Sequence, residues 1–295
     1  MKKPVLKGFD KFREKTTPRF AGKKIALVPV IFISSFILGL IVIILFDNYL
    51  PDILANSGMN AVLIGLFPIL GVCIVGITGF ILTYQMWFWR ERLKAKYSSL
   101  AYQRIVPVGF CGIVLVISLA FVNFSQIQGA FWTVAPFNFL VAPFESNLGT
   151  SASFIFWPRV ILGIGIAIIG LGMSLRSILT FGFDYTTVVY LYFPEESKIQ
   201  TNAIYSALRH PMYSGMLTVA LGGMIFRFTP YAIVFYLIYL LGFTIHVRFV
   251  EERELIGRFG NSYKDYQKKV PAFFVRPSKL KTLIGFVFRS PEKNA

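Results

Sequence analysis

Long apolar runs separated by short polar segments dominate the chain. Four runs have the roughly 20 apolar residues that a helix needs to cross a bilayer. They lie at about residues 26–46, 59–87, 106–124 and 154–181. A further region, 211–249, is apolar but broken near Arg227, which predicts two shorter helices joined by a tight turn, with Pro230 in the first turn of the second. The pattern therefore predicts an all-α integral membrane protein with about six transmembrane helices.

The composition agrees with a membrane protein. Hydrophobic residues make up 55% of the 295 residues, and charged residues make up 15%, below the quarter that is usual in soluble domains. The net charge of +16 raises the question of nucleic acid, but the basic residues lie between the apolar runs, so we expect no nucleic-acid partner. The two cysteines, Cys73 and Cys111, lie inside apolar runs and predict neither a disulfide nor a metal site.

The basic residues also predict an orientation. Lysine and arginine number nine in residues 1–25, five in 88–104 and eleven in 246–295, whereas the connecting segments 47–58 and 125–152 contain none. By the positive-inside rule, both termini then lie in the cytoplasm, at an inner membrane in a bacterium or at the endoplasmic reticulum in a eukaryote. The polar N-terminus is too long for a cleaved signal peptide, so the first run is interpreted as a membrane span.

Four segments follow from these patterns. Residues 1–25 form a basic cytoplasmic segment, and 26–181 a transmembrane scaffold of four helices with little polar chemistry. Tyrosines, acids and bases cluster in 182–271, where we expect the chemistry, around a helical hairpin. The basic-aromatic tail, 272–295, is expected along the inner membrane surface, with a disordered tail as the alternative.

The motif "RHPMYSG" at 209–215 precedes a long apolar run. Pro211 suits the first helical position, and the three following residues would keep free N–H groups at the positive end of the helix dipole. These donors belong to Met212, Tyr213 and Ser214. Together with Arg209 and His210 they could bind a carboxylate or phosphate at the membrane surface. The alternative is a plain helix start with snorkelling side chains.

A second motif follows the hairpin, in residues 248–271. Glu251, Leu255 and Phe259 are spaced to share one helical face, with Glu252 beside it, and Gly260 should end or kink the helix. Taken alone, the two acids could simply form ion pairs with neighbouring arginines.

The hairpin between the two motifs changes this interpretation. A hairpin of about 35 residues returns the chain to the side from which it started, so it should bring Glu251 back beside His210 and Tyr213. A basic helix start and an acid pair would then face each other at the cytoplasmic interface.

The patterns "Y-x-x-x-R-H-P-x-Y-x-G" and "E-E-x-x-L-x-x-x-F-G-x-x-Y-x-x-Y-x-x-x-V-P" resemble the isoprenylcysteine carboxyl methyltransferase family, which is related to the phospholipid methyltransferases. The similarity covers about residues 199–271. It implies transfer of a methyl group from S-adenosylmethionine to a lipophilic acceptor, either the carboxylate of a prenylated cysteine-like substrate or a lipid headgroup. The resemblance assigns cofactor binding to Ser197, Lys198, Ile199, Gln200, Tyr205, His210, Pro211, Met212, Tyr213 and Glu251.

The chemistry of these residues suits that cofactor. The helix start would bind its carboxylate, Glu251 its ammonium or ribose hydroxyls, and the aromatic faces of Tyr205 and Tyr213 its sulfonium. Two further residues are catalytic candidates. Arg248 could hold an ionised carboxylate acceptor, and Glu252, or His210, could take a proton from an amine acceptor.

The sequence also departs from the family. Ser197 stands where the family often has histidine, and Val247, with Arg248 beside it, stands where the isoprenylcysteine enzymes have an arginine. The alternative function is a nicotinamide-dependent membrane reductase of the sterol type. Many of those reductases have an acid directly after the glycine of the helix start, but here Met216 follows Gly215.

A transporter or membrane scaffold is the third possibility. Transport pathways usually need charged residues inside the membrane, and the first three predicted spans contain none at depth. Arg159 in the fourth span lies near its outer end, where snorkelling explains it.

Overall fold

A computed structural model describes residues 6–125 and 152–288, together with Ala142 and Phe144. The predicted outer loop 125–152 therefore lies almost entirely outside the described residues, as do residues 1–5 and the last part of the tail, 289–295. Every regular element within the described ranges is helical.

Ten principal helices follow one another along the described ranges. They are α1 (Phe9–Thr16), α2 (Leu27–Ile44), α3 (Phe67–Phe88), α4 (Ala101–Ser118), α5 (Ala152–Phe181), α6 (Pro211–Arg227), α7 (Pro230–His246), α8 (Glu252–Phe259), α9 (Asn261–Lys269) and α10 (Leu280–Phe288). Shorter α-helices lie at Leu50–Ala55, Ala61–Ile64, Arg90–Tyr97, Val122–Ser125, Phe183–Thr186 and Val189–Tyr192. Turns of π-helix lie at Leu45–Tyr49 and Val247–Glu251.

Five helical segments within the described ranges are long and apolar enough to cross a membrane. They are Gly22–Ala55, Ala61–Phe88, Arg90–Phe124, Ile155–Phe181 and Pro230–Phe259. The remaining predicted span, α6, has 17 residues, or roughly 26 Å at 1.5 Å per residue, which is slightly short of a bilayer core. The all-α membrane class is confirmed, and α6 as a sixth complete span stays a prediction.

The outer faces of these helices carry large apolar side chains. On α2, Ile33 is 58% exposed, and on α5, Ile161 and Ile168 are 68% and 64% exposed. Continuous exposed apolar surface of this kind is unfavourable in water and suits lipid. The protein is therefore a multi-pass membrane protein, with its outer helices facing the acyl chains.

Helices α5 and α6 pack backbone against backbone. A Cβ atom added to Gly170 would lie 2.6 Å from the carbonyl oxygen of Gly215, and one added to Gly222 would lie 2.5 Å from that of Gly163. Small residues that allow such close approach are typical of helix pairs in membranes. The hydroxyl of Ser174 also donates to the carbonyl of Met212 (3.1 Å), so α5 fixes the position of the start of α6.

The predicted hairpin is confirmed. Helix α6 ends at Arg227, Phe228 adopts the left-handed conformation, and α7 begins at Pro230 after Thr229, whose hydroxyl accepts a hydrogen bond from the Ala232 N–H. The two helices have 17 residues each, so the end of α7 returns to the level at which α6 begins.

The described part of the tail contains one α-helix, α10. Phe286 of α10 is buried against Ile204 and Tyr205, and Arg176 of α5 donates to the carbonyl of Val287 (2.8 Å). The outer face of α10 is exposed and apolar, and it contains Leu280, Ile284 and Phe288. Its location along the membrane surface stays a prediction.

Candidate active site

A pocket lies where the segment before the hairpin, the start of α6 and the helices after the hairpin meet. It contains about 1060 Å³ of empty space, part of it open to solvent. All ten residues that the resemblance assigns to the cofactor line this pocket: Ser197, Lys198, Ile199, Gln200, Tyr205, His210, Pro211, Met212, Tyr213 and Glu251. Arg248 and Glu252, the two catalytic candidates, are not among the residues that line it.

The start of α6 differs from the prediction in one respect. The N–H of Ser214 donates to the carbonyl of His210 (2.9 Å), so it is not free, because the first hydrogen bond of the helix closes there. The N–H groups of Met212 and Tyr213 precede that bond. The side chain of His210 makes no capping hydrogen bond to the helix and turns towards two carboxylates on the far side of the hairpin.

His210 is held between two consecutive glutamates. Its Nδ1 atom lies 3.5 Å from Glu251 Oε1 and its Nε2 atom 3.1 Å from Glu252 Oε1. Burial alone would lower the pKa of His210, but the two carboxylates outweigh it and raise that pKa to about 9. His210 is therefore an imidazolium at neutral pH. The prediction that the hairpin returns Glu251 to His210 is confirmed.

A turn of π-helix precedes these glutamates. It spans Val247–Glu251 and leads directly into α8. One extra residue in a turn rotates everything after it by about 100° relative to an uninterrupted α-helix, and such turns occur often at functional sites. Glu251, at the end of the π-turn, lines the pocket, whereas Glu252 faces the segment that precedes α6.

Glu252 is occupied within the protein. Its Oε1 atom accepts from Arg209 Nε (2.7 Å), and its Oε2 atom accepts from Gln267 Nε2 (2.8 Å), in addition to the contact with His210. Arg209 also donates to the backbone carbonyls of Gln267 (3.0 Å) and Val270. The Arg209–Glu252 pair thus ties the end of α9 to the start of α6.

Glu251 differs from its neighbour in having an open oxygen. Its Oε2 atom is buried and has no hydrogen-bond partner in the part of the chain that the structure describes. A buried carboxylate oxygen without a partner is costly, so it is suited to accept hydrogen bonds from a ligand in the pocket.

Aromatic side chains form one wall of the pocket. The ring centroid of Phe181 lies 4.3 Å from that of Tyr185 and 4.7 Å from that of Tyr205. The ring centroids of Tyr185 and Tyr190 lie 4.2 Å apart. Burial raises the pKa of Tyr205, so its hydroxyl stays neutral. Our sequence reasoning missed Phe181, Tyr185 and Tyr190 as pocket residues, although the tyrosine-rich stretch at 185–192 is a signal that could have indicated them.

The helix after the glutamates supplies the opposite wall. Leu255 and Phe259 line the pocket, which confirms the face predicted from their spacing with Glu251. Glu254 and Arg258 also line it and bond to each other (2.6 Å), a pair that the sequence reasoning missed, although their i,i+4 spacing indicates it. Helix α8 ends at Gly260, as predicted, with a positive φ of 59° that glycine adopts readily.

Arg248 lies away from this arrangement. Its side chain is exposed, and its guanidinium lies 5.8 Å from the ring centroid of Phe249. The geometry therefore does not bring Arg248 to the pocket that contains Glu251.

Comparison with known proteins places this region in context. Residues 158–262 match the family model of phospholipid methyltransferase. A probable protein-S-isoprenylcysteine O-methyltransferase of Oryza sativa subsp. indica is 30% identical over 115 residues, which is 39% of this chain and 60% of the relative. Protein-S-isoprenylcysteine O-methyltransferase B of Arabidopsis thaliana is 28% identical over 142 residues, 46% of this chain and 72% of the relative.

A methanethiol S-methyltransferase of Pseudomonas deceptionensis is also similar, with 30% identity over 144 residues, 48% of this chain and 51% of the relative. No solved structure matches the chain significantly. The chain spans 60% of the length of the rice relatives that it matches. None of these findings supports the reductase alternative. The C-terminal region is related to the phospholipid methyltransferases, and its resemblance to the isoprenylcysteine carboxyl methyltransferase family is confirmed.

Proposed function

We propose that this protein is an integral membrane methyltransferase that uses S-adenosylmethionine and acts on a lipophilic acceptor. The observation that carries the proposal is the convergence of all ten expected donor-binding residues on one pocket. They come from stretches 197–205, 210–213 and position 251, and the hairpin brings the last of these back to the first two.

The residues present fit the donor. The open Oε2 atom of Glu251 suits an ammonium or ribose hydroxyls, and the N–H groups of Met212 and Tyr213 suit a carboxylate. The wall that contains Tyr185 and Tyr205 would favour a sulfonium. When bound, the donor would supply an electrophilic methyl group, and the task of these residues would be to hold it in line with the acceptor.

The site favours an acceptor that arrives already ionised. An amine acceptor would need a base, but His210 is held as an imidazolium by its raised pKa of about 9, both oxygens of Glu252 are bonded within the protein, and Glu251 is assigned to the donor. A carboxylate needs no base, because its ordinary pKa of about 4 leaves it ionised at pH 7. A prenylated cysteine carboxylate is therefore the preferred acceptor class, and the thiol and phospholipid acceptors named for the relatives are the alternatives.

The distribution of lysine and arginine supports a cytoplasmic position for this pocket, with both termini on the same side. Such a position would let a water-soluble donor reach the pocket from the cytoplasm while a lipophilic acceptor enters from the bilayer. The proposed orientation is testable by labelling single cysteines, which should react from outside at position 52 and from inside at position 94.

The experiment that tests the function is binding followed by transfer. Calorimetry on the detergent-purified protein should detect S-adenosylhomocysteine and no reduced nicotinamide. Donor labelled in its methyl group should then transfer label to a farnesylated cysteine in preference to an alkanethiol or phosphatidylethanolamine. Binding of a reduced nicotinamide without S-adenosylhomocysteine would overturn the proposal in favour of a reductase.

A further inference from the structure

The N-terminal helix α1 packs directly against the segment that leads into the pocket. Phe12 is fully buried, and its ring centroid lies 5.0 Å from that of Phe183 in an edge-on arrangement. The N–H of Phe183 donates to the carbonyl of Lys7 (2.7 Å), and Lys7 Nζ donates to the carbonyl of Thr180 (2.8 Å) at the end of α5. The basic N-terminal segment is therefore part of the folded structure around the pocket.

The first link from α1 to the pocket passes through Asp184. Gly8, which precedes α1, has a φ of 77°, and a Cβ atom there would overlap the Asp184 carboxylate. Asp184 accepts a hydrogen bond from the hydroxyl of Tyr190 (2.5 Å), and Tyr190 lines the pocket. The chain around Gly8 thus closes over the group that orients an aromatic side chain of the pocket wall.

The second link is an ion cluster. Glu196 accepts a hydrogen bond from Lys15 Nζ (2.7 Å) and forms an ion pair with Lys11 Nζ (2.5 Å), and Lys15 Nζ also lies 4.1 Å from the ring centroid of Phe193. The two lysines lower the pKa of Glu196, so it is ionised at neutral pH. Glu196 directly precedes Ser197–Gln200, four consecutive residues that line the pocket.

The far end of α1 is also anchored. Gln103 of α4 accepts from the N–H of Arg19 (3.0 Å) and donates to the carbonyl of Thr17 (3.1 Å). The segment 7–19 is therefore fixed at one end to α5 and at the other to α4, and its two lysines reach across to the pocket segment between those anchors. Lys11 and Lys15 are turned towards Glu196, which is unlike the outward arrangement expected of residues that only bind anionic lipid.

We propose that α1 is a positioning element of the pocket, in which Lys11 and Lys15 hold Glu196 and thereby fix the loop Ser197–Gln200 for donor binding. Glu196 is then a positioning residue, because it does not line the pocket itself. The part of this inference that concerns the donor rests on the proposed function, whereas the ordering of the loop does not.

Hydrogen exchange tests the ordering of the loop without any ligand. In Glu196→Gln, and in the double variant Lys11→Met with Lys15→Met, amides of the peptide that covers residues 193–200 should exchange faster, while those of α7 stay unchanged. The control is Glu195→Gln, which alters the adjacent exposed glutamate and should leave the exchange as it is. Unchanged exchange in the Glu196 variant would overturn the inference.

Kinetics test the link to the donor. Glu196→Gln and the double lysine variant should each raise the KM for S-adenosylmethionine roughly threefold to tenfold with little change in kcat. The triple variant should lose no more than either, because all three residues act through one cluster. The variant with Lys11→Arg and Lys15→Arg should keep the wild-type KM.

The outcomes separate this inference from the proposed function. Faster exchange with an unchanged KM would overturn the positioning role and leave the methyltransferase proposal intact. A wild-type protein that binds no S-adenosylhomocysteine would overturn the methyltransferase proposal and, with it, the donor-binding role of Glu196. The exchange measurement would still decide whether α1 orders the loop.

Discussion

Two groups of buried charged residues lie at opposite ends of α6, about 25 Å apart by the length of the helix. The two groups differ in the contacts that their carboxylates make. The pocket cluster consists of Arg209, His210, Glu251 and Glu252. The distal cluster consists of Asp47, Arg159 and Arg227. Glu251 is half-buried, and each of the other side chains is only about a tenth exposed or less. Neither group is therefore an ordinary surface ion pair.

The distal cluster joins helices. Arg227 Nη1 lies 4.0 Å from Asp47 Oδ2, and Arg159 Nη1 donates to the carbonyl of Arg227 (2.6 Å), at the last residue of α6. Cations near a helix C-terminus are favourable because the helix dipole is negative there. These contacts connect α5, α6 and the π-turn after α2, and they account for a role in stability.

In the pocket cluster, the carboxylate of Glu252 likewise joins helices, whereas the carboxylate of Glu251 faces the pocket. Glu252 is bonded through both oxygens, whereas the Oε2 atom of Glu251 has no hydrogen-bond partner among the described residues and Glu251 lines the pocket. Buried charge by itself therefore does not mark a binding site in this protein. An open acceptor on a pocket wall does, and the comparison predicts that Glu252 variants should lose stability, whereas Glu251 variants should lose donor affinity as well as part of the stability that His210 contributes.

The largest expected effect is on stability in Glu252→Ala. Removing this carboxylate would leave Arg209 and His210 buried without their common partner, and breaking a buried pair in this way costs about 3–5 kcal/mol. The free energy of unfolding in detergent would measure it, with Glu254→Ala as the control for a less central acid. A loss of unfolding free energy below about 1 kcal/mol would contradict the role of Glu252 as the common partner of Arg209 and His210.

The next effect is a pH dependence centred on His210. Glu251 and Glu252 raise its folded pKa to about 9, above an unfolded value of about 6.5. The stabilisation is therefore complete below pH 6.5 and is lost as the pH rises through 9. It amounts to about 3 kcal/mol at 1.36 kcal/mol per pKa unit. The thermal midpoint of the wild type should fall between pH 6.5 and 9, whereas that of His210→Gln should stay nearly flat across this range.

Glu251→Gln should lower affinity for the donor and, because Glu251 helps to raise the pKa of His210, should also remove part of the stability that the imidazolium contributes. A hydrogen bond to a charged group contributes about 1.5–3 kcal/mol, so the dissociation constant of S-adenosylhomocysteine should rise roughly tenfold to a hundredfold. Calorimetry would measure this, with Glu252→Gln at a temperature where it remains folded as the matched comparison. Equal affinities for the Glu251 variant and the wild type would remove Glu251 from the binding site.

Asp47→Asn should affect stability and leave donor affinity as it is. It should lower the free energy of unfolding by about 1–3 kcal/mol and leave S-adenosylhomocysteine affinity unchanged, because the distal cluster does not reach the pocket. Replacing both partners, in Asp47→Leu with Arg227→Met, should recover much of the stability, since apolar pairs often substitute well for buried ion pairs. A change in affinity in either variant would show that the two clusters are coupled through α6.

Much of this arrangement could be predicted from the sequence, for different reasons in the membrane spans and in the pocket. The spans and the turn near Pro230 follow from hydropathy and run length, which depend only on local composition. The ten pocket residues come from the resemblance to the isoprenylcysteine carboxyl methyltransferase family, whereas the hairpin predicts only that Glu251 returns beside His210 and Tyr213.

The division of labour between Glu251 and Glu252 could not be predicted in the same way. Spacing arguments assume 3.6 residues per turn, and the π-turn at Val247–Glu251 adds a residue that no local pattern indicates. The contact between Lys15 and Glu196 joins positions 181 residues apart. Only tertiary packing specifies such a pair, so the sequence predicts a basic cytoplasmic segment at residues 1–25 and does not indicate that its lysines contact the segment before the pocket.

The smallest expected effect concerns Arg248, which the sequence analysis suggested as a cation for a carboxylate acceptor. Its side chain is exposed and lies outside the pocket lining, so Arg248→Ala should change donor affinity by less than about twofold. The kcat with a prenylated cysteine carboxylate tests the acceptor role separately. If kcat/KM for that acceptor falls tenfold or more while donor affinity is kept, the acceptor must reach Arg248 at the outer side of the π-turn that precedes α8, and the pocket described here would hold the donor alone. If kcat/KM stays within about twofold, the cation that faces the acceptor lies inside the pocket, where Arg258 and the His210 imidazolium are candidates to test next.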